Sequence, residues 1–378
     1  SIKMTKILGF EENTLRSQSA YWTAREIEQQ PDVWQKVADD IIENHAGLDD
    51  WLKSVLSDPC GRIILTGAGT SAYVGETLAP FLSKALSRPV EAISTTDIVS
   101  APEQYLIKVK PTLVISYARS GNSPESVAAC QLCDQLVENA YHLIITCNKD
   151  GALAKVDNAN NAKYVLMMPE ETNDKSFAMT SSFSSMMLAT ALVFKSKNQK
   201  LDEAINISRS ILNTDFLRKV EILSQKPFSR VVCLGAGGLL GIAREASLKI
   251  LELSNGKLDC YFESPLGFRH GPKLVVDKNT LVVLLGSNNE YTQKYDRDLL
   301  KEIKDDNIAK NIVNLFEELG VRENALDDIW VAFPYILYCQ IFAFYKSLAL
   351  DVTPDNPCPT GEANRVVQGV KIYPHGGK

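Results

Sequence analysis

The strongest constraint on the fold of this chain is that it repeats itself. Arg62-Ile-Ile-Leu-Thr-Gly67-Ala-Gly69 and Arg230-Val-Val-Cys-Leu-Gly235-Ala-Gly237 are the same phrase, an apolar run that ends in a Gly-Ala-Gly turn. The offset is 230 − 62 = 168 residues, and the same offset carries Thr112-Leu-Val-Ile onto Thr280-Leu-Val-Val. A period that long is no solenoid repeat and implies a duplicated domain. The length agrees, since 378 residues is about two domains at roughly 150 residues each.

Within each copy, short apolar runs alternate with helical patterns, which predicts βαβ units and an α/β fold with a parallel sheet flanked by helices. The first copy predicts strands over 62–66, 112–116, 142–146 and 164–168, with helices over 71–87 and 124–139. The second predicts strands over 230–234 and 280–285 and a weaker one over 311–316. Trp22, Ile27, Trp34, Val37 and Ile41 are spaced as on helices, outside the repeat. The expected organisation is a helical extension over 1–55, a first domain over 56–200, a second over 201–352 and an extended tail over 353–378. Residues 195–227 are expected to link the copies as helices.

Composition narrows the function. Lys plus Arg number 40 against 46 Asp plus Glu, a formal charge of −6, which argues against a nucleic-acid partner. The first 30 residues lack the apolar core of a secretory signal, so a cytoplasmic protein is expected. The apolar run 329–345 falls short of the ~20 residues needed to span a bilayer and carries Pro334 and Gln340. It reads as a buried or interface helix rather than a membrane segment. The eight cysteines read as free thiols, and Cys130-x-x-Cys133 has no second pair to complete a metal site.

In open parallel sheets, ligands bind at the loops beyond the carboxyl ends of the strands. After the second strand comes Arg119-Ser120-Gly121-Asn122-Ser123-Pro124-Glu125-Ser126. Ser123 is a natural N-cap with Pro124 at the first helical position, and a capped helix is the simplest reading. Capping does not account for Ser120, Gly121 and Ser126 together. Hydroxyls, backbone N–H groups and Arg119 converging at a helix start suit a phosphate. Gly67-Ala-Gly69 followed by Glu91 is a partial dinucleotide fingerprint, but a Gly-x-Gly that occurs in both copies also suits tight packing alone.

Glu245, Lys249 and Glu252 stand at i, i+4 and i+7, on one helix face. Such a stripe is commonly a solvated salt-bridge face. Here Ala246, Ile250 and Leu253 flank it on one side and Leu248 and Leu251 on the other, which suits a buried helix turned toward a polar cavity. A carboxylate there could serve as a general base. His270, in Gly267-Phe-Arg-His270-Gly-Pro272-Lys, is a loop histidine with a stiff backbone, suited to moving a proton or simply exposed. No further His or Cys stands at ligand spacing, so no metal is expected.

The duplicated α/β unit with Gly-Ala-Gly69-Thr-Ser71, Arg119-Ser-Gly-Asn-Ser123 and His270-Gly-Pro resembles the sugar isomerase (SIS) superfamily. Ser116-Tyr-Ala-Arg-Ser-Gly-Asn-Ser-Pro-Glu-Ser126, Phe177-Ala-Met-Thr-Ser-Ser182, Gly267-Phe-Arg-His-Gly-Pro-Lys273 and Asn364-Arg-Val-Val-Gln-Gly-Val370 resemble its AgaS group. Members of that group are tagatose-6-phosphate ketose/aldose isomerases or galactosamine-6-phosphate deaminases. The isomerase half of glucosamine-6-phosphate synthase is a related template. The resemblance implies that Ser120, Ser123 and the backbone of Arg119 hold a phosphate, and that Ser71 touches the sugar. It also implies that Phe177, Ala178, Val367 and Gln368 line the substrate. By the same template Glu252, beside Lys249 and Glu245, moves a proton between C1 and C2, and His270 assists ring opening. Glu26-Ile-Glu-Gln-Gln-Pro31 resembles the segment that precedes that isomerase half.

One departure directs the reading. Where the synthase carries a lysine able to form a Schiff base, this chain has Gln368, and its 378 residues hold no amidotransferase segment. The resemblance therefore implies ammonia release rather than amino-sugar synthesis, without metal or cofactor. Galactosamine 6-phosphate would give tagatose 6-phosphate. The alternatives are a plain ketose/aldose isomerase and a non-catalytic sugar-phosphate sensor. The apolar run 329–345 further suggests a homodimer, or a dimer of dimers, with His270 completing the neighbouring site.

Overall fold

A computed structural model describes residues 5–155, 162–194, 200–323 and 325–376. Both copies of the repeat form parallel sheets, as the sequence predicts. The first contains β1 (Arg62–Thr66), β2 (Val90–Ala92), β3 (Thr112–Ala118), β4 (Ala140–Thr146) and β5 (Lys163–Met167), in the order β2-β1-β3-β4-β5. The second contains β6 (Arg230–Gly235), β7 (Asp259–Glu263), β8 (Thr280–Leu285) and β9 (Asn311–Asn314), in the order β7-β6-β8-β9. Arg62 pairs with Thr112 in one sheet and Arg230 with Thr280 in the other, so the repeat extends to strand register.

The central strands form for the reason the sequence suggested. Parallel strands covered by helices on both faces must be apolar throughout, and every residue of β3 and β8 is buried. β2 and β7 were not expected. β2 has three residues, and β7 is an edge strand with Asp259, Tyr261 and Phe262 exposed, so neither shows a long apolar run.

The chain forms two compact units, each assembled from separate stretches. One holds the first sheet and takes the described residues of 32–174, 181–197 and 363–378. The other holds the second sheet and takes those of 1–31, 175–180 and 198–362. In the first unit, helix Thr70–Leu86 follows β1 and helix Pro124–Leu136 follows β3. Trp34 is fully buried, and its indole N–H donates to Ser184 Oγ at 2.8 Å. Cys130 and Cys133 lie buried in helix Pro124–Leu136, where burial pushes the Cys133 thiol up. The chain's cysteines are free thiols.

The second unit is built around helix Asp328–Ala349. By length and composition it could cross a membrane, yet every residue from Ile329 to Ser347 is buried. It packs along helices Leu201–Ile211, Thr214–Ser224 and Leu239–Leu253. Its apolarity is therefore accounted for inside its own chain. This corrects the argument that drew a subunit interface from the run 329–345. The two helices at 201–211 and 214–224 occupy the linker segment, whose residues 195–199 lie outside those described.

Candidate active site

In the first unit the candidate residues gather at the carboxyl ends of β1 and β3. The turn after β1 must be glycine at Gly67, because a Cβ there would sit 2.6 Å from the Ser71 backbone. That close approach places Ser71, itself buried, in the first turn of helix Thr70–Leu86. The acid of the partial dinucleotide fingerprint is already engaged within the chain. Glu91 is paired to Arg62 Nε at 2.7 Å, and that hydrogen bond holds its carboxyl below the usual range.

After β3 the chain turns sharply through Ser120-Gly121-Asn122. Ser120 Oγ accepts from Asn122 N at 3.2 Å, and Asn148 Nδ2 donates to Ser120 O at 2.8 Å. Asn122 Oδ1 in turn accepts from Ala152 N at 3.0 Å. The loop is thus braced from the loop after β4. Ser123 caps helix Pro124–Leu136 by accepting from Ser126 N, and its hydroxyl donates to Glu125 Oε2 at 3.0 Å. Capping fully explains Ser123, while Ser120 takes no part in it. Arg119 is 6% exposed, and its Nη2 donates to the backbone oxygen of Arg365 at 2.6 Å. Val367 and Gln368 follow on an exposed stretch without regular structure.

The second sheet has an equivalent loop, and it is closed. At the offset of 168, Ser120 becomes Asn288. Ser287 N donates to Asp296 at 2.9 Å, Ser287 Oγ to Asp328 Oδ2 at 2.5 Å, and Asn288 N to Asp328 Oδ1 at 2.7 Å. Two carboxylates of the chain itself occupy the donors that an anion would need. Burial first, and the nearby Asp328 charge after it, push Asp296 up to about 6 against the pull of the Ser287 N–H.

The second unit also carries the Glu-Lys-Glu stripe, on helix Leu239–Leu253. Lys249 Nζ lies 2.8 Å from Glu245 Oε1 and 2.5 Å from Glu252 Oε1. The side chains of Lys249 and Glu245 are fully buried, so the stripe is no solvated face; Glu252 keeps 22% of its side chain exposed. Burial opposes the Lys249 charge, but the two carboxylates outweigh it and hold the ammonium above its ordinary pKa. Lys249 is a fixed cation that neutralises one carboxylate below the surface and steadies another at it.

His270 is exposed, between helix Pro265–Phe268 and the turn Pro272–Val275. Gly271 has φ +113°, a conformation that only glycine adopts readily. Arg269 and Lys273, on either side, both reach Glu302 of helix Glu290–Asp306, at 3.1 and 3.2 Å. The imidazole is thereby presented on a braced loop.

Phe177 and Ala178 belong to the 175–180 loop of the second unit, and sequence reasoning missed what holds it. Buried Glu26 accepts from the backbone N–H of Lys175 at 2.6 Å and of Ser176 at 3.0 Å. Asp355 accepts from Thr23 N and Trp22 N, and its carbonyl takes the Phe177 N–H at 3.1 Å. Glu26 opens the Glu-Ile-Glu-Gln-Gln-Pro segment, so the signal was present without a stated role. The same holds for Arg365, inside the Asn364–Val370 motif. Among the described residues no cluster of metal-binding side chains occurs.

A family model described as SIS domain matches residues 58–196. A Shewanella sp. (strain ANA-3) protein named D-galactosamine-6-phosphate deaminase AgaS is 51% identical over 363 residues, covering 95% of this chain and 94% of that protein. The chain belongs to the AgaS family of SIS proteins. An Escherichia coli AgaS protein of the same name is 43% identical over 370 residues, covering 93% of this chain and 96% of its own. The crystal structure of tagatose-6-phosphate ketose/aldose isomerase from Escherichia coli is also similar, at 40% identity and a TM-score of 0.86. That match covers 93% of this chain and 96% of the other. The AgaS family thus spans the parallel-sheet fold and both copies of the repeat.

Proposed function

We propose that this protein converts galactosamine 6-phosphate and water into tagatose 6-phosphate and ammonia. The observation that carries the reading is the buried Glu245–Lys249–Glu252 ladder, in a chain that shares about half its residues with a protein named for that deamination. The phosphate is held at the Ser120 loop, with Ser123 shaping the helix start and Arg119 rooting it. Ser71, the loop carrying Phe177 and Ala178, and the tail at Val367 and Gln368 contact the sugar.

The reaction needs proton transfers and one water. His270 assists opening of the pyranose to the C1 aldehyde. Glu252 takes the C2 proton, leaving an enolamine, and returns a proton to C1, leaving an imine at C2. Water adds to that carbon and ammonia leaves, giving the ketose. Gln368 cannot form a Schiff base, so the imine nitrogen is the substrate's own. The braced, exposed His270 also supports a homodimer in which each chain's His270 serves its partner. Tyr261, Phe262, Leu266 and Leu274, all within nine residues of it in sequence, are exposed apolar side chains. The protein acts in the cytoplasm.

A second reading is a ketose/aldose isomerase on non-amino sugar phosphates, favoured by the Escherichia coli isomerase at 40% identity. It uses the same proton shuttle without loss of nitrogen. Coupled ammonia release on galactosamine 6-phosphate and glucosamine 6-phosphate separates the two. Glu252→Gln should abolish release while binding survives. Aldose–ketose interconversion without ammonia would favour the second reading, and binding without turnover of any substrate would exclude both.

A further inference from the structure

The C-terminal stretch of the first unit, from residue 363, contains no helix or strand among its described residues. Val367 is 56% exposed, Val370 37% and Tyr373 71%, so burial holds little of it. Arg365 is fastened from two directions. Its carbonyl takes the hydrogen bond from Arg119 Nη2 at 2.6 Å. Its own guanidinium donates through Nε to Asp174 O at 2.9 Å and through Nη2 to Asn173 Oδ1 at 3.1 Å, with a further contact from Nη2 to Asp174 O.

Both anchors are buried. Arg119 directly follows the fully buried β3 and begins the Ser120 loop. Asp174 is itself fully buried, and its carboxylate takes the Ser182 N–H at 3.0 Å and the Ser182 hydroxyl at 2.5 Å, at the start of helix Ser181–Val193. Arg365 therefore bridges the root of the Ser120 loop and the segment leading into that helix. The forked guanidinium suits this task, because it satisfies two separate acceptors from one fixed plane.

We propose that Arg365 is a positioning residue, a clasp that ties the C-terminal tail to the root of the phosphate loop and so sets where Val367 and Gln368 meet the sugar. The inference deepens the function proposed above and rests on it for the identity of the sugar. The clasp itself is a property of the chain without ligand. Because it acts on the tail, it governs affinity for the sugar part of the substrate and leaves the Ser120 loop's hold on the phosphate alone.

Three measurements on the full chain test this. In Arg365→Ala, amide exchange over residues 363–376 should quicken at least tenfold, with β3 unchanged. Affinity for galactosamine 6-phosphate, by calorimetry, should fall about tenfold or more, while affinity for inorganic phosphate stays within twofold. Arg365→Lys keeps the charge but loses the fork, so it should lie between wild type and Arg365→Ala and guards against a folding defect. Unchanged exchange in the tail would overturn the clasp. Faster exchange with unchanged sugar-phosphate affinity, or an equal loss for inorganic phosphate, would overturn its role in positioning. Should the wild type bind the sugar phosphate but release no ammonia, the deaminase reading falls, and the ratio of the two affinities still decides the clasp.

Discussion

Replacing Lys249 with methionine removes a charge and keeps nearly the same volume, so its effect reports the Glu-Lys-Glu ladder rather than a cavity. Glu245 is fully buried and would lose the cation 2.8 Å away. It must then stay ionised without that cation or take up a proton. Breaking a buried pair by removing one partner costs about 3–5 kcal/mol. From an ordinary Glu pKa of about 4.3, protonation costs about 5 kcal/mol at pH 8 but only about 1 kcal/mol at pH 5. The cheaper route sets the loss: about 3–5 kcal/mol at pH 8 and about 1 kcal/mol at pH 5. The sign follows from linkage. A carboxyl whose folded pKa is raised contributes stability at low pH and loses it as pH rises through that value. In wild type, Lys249 is shifted upward, so its contribution is lost only as pH rises above the ordinary lysine range. Lys249 therefore gives wild type no slope between pH 5 and 8. At about 2–4 °C per kcal/mol, the melting temperature of Lys249→Met should fall about 4–16 °C further at pH 8 than at pH 5. Adding Glu245→Gln should recover most of the loss at pH 8. Equal losses at both pH values, or no recovery in the double variant, would mean that the lysine contributes packing alone.

Two further outcomes follow from the paired loops. Ser120→Ala should weaken sugar-phosphate binding by about tenfold to a hundredfold, the worth of a hydrogen bond to a charged group; calorimetry showing equal affinities would reduce that loop to a capped helix. Asp296, raised to about 6 from 3.8, favours the fold at low pH and costs up to about 3 kcal/mol as pH rises from about 4 through 6. Asp296→Asn should therefore gain melting temperature relative to wild type between pH 5 and 8, and parallel curves would refute the assignment.

What could be read from the sequence was what local chemistry encodes. β1, β3 and β8 announce themselves because a strand buried on both faces must be continuously apolar. Ser123 and Pro124 announce a helix start because capping is settled within four residues. The three-residue β2 and the partly exposed edge strand β7 carry no such signature. The run 329–345 shows that its residues are buried, and periodicity alone could not say by what. The residues that fix the candidate site were least legible. Glu26 acts 149 residues away on Lys175, and Arg365 acts 191 residues away on Asp174. Such pairs exist only once the chain has folded, and each partner alone looks like an ordinary surface charge.

The duplication itself explains why the two copies now differ. Equivalent strand ends and equivalent following helices give the chain two places for the same chemistry. Counting back 168 residues from Glu245, Lys249 and Glu252 gives Thr77, Phe81 and Lys84, so the first copy has no carboxylate ladder. Thr77 instead turns its hydroxyl back to Tyr73 O at 2.8 Å, inside its own helix. Counting forward from Ser120 gives Asn288, in the loop whose donors are taken by Asp296 and Asp328. A phosphate entering that loop would meet two acidic side chains, and repulsion between like charges opposes it. In the first copy two backbone donors of the loop, Asn122 N and Ser126 N, are turned to the loop's own serine oxygens, which a stronger acceptor can displace, and only the Ser123 hydroxyl goes to a carboxylate, that of Glu125. Anion binding and a carboxylate base make opposite demands on the local charge. In the function proposed above, two copies of one frame let the chain place the anion loop after β3 and the base in the last turn of helix Leu239–Leu253.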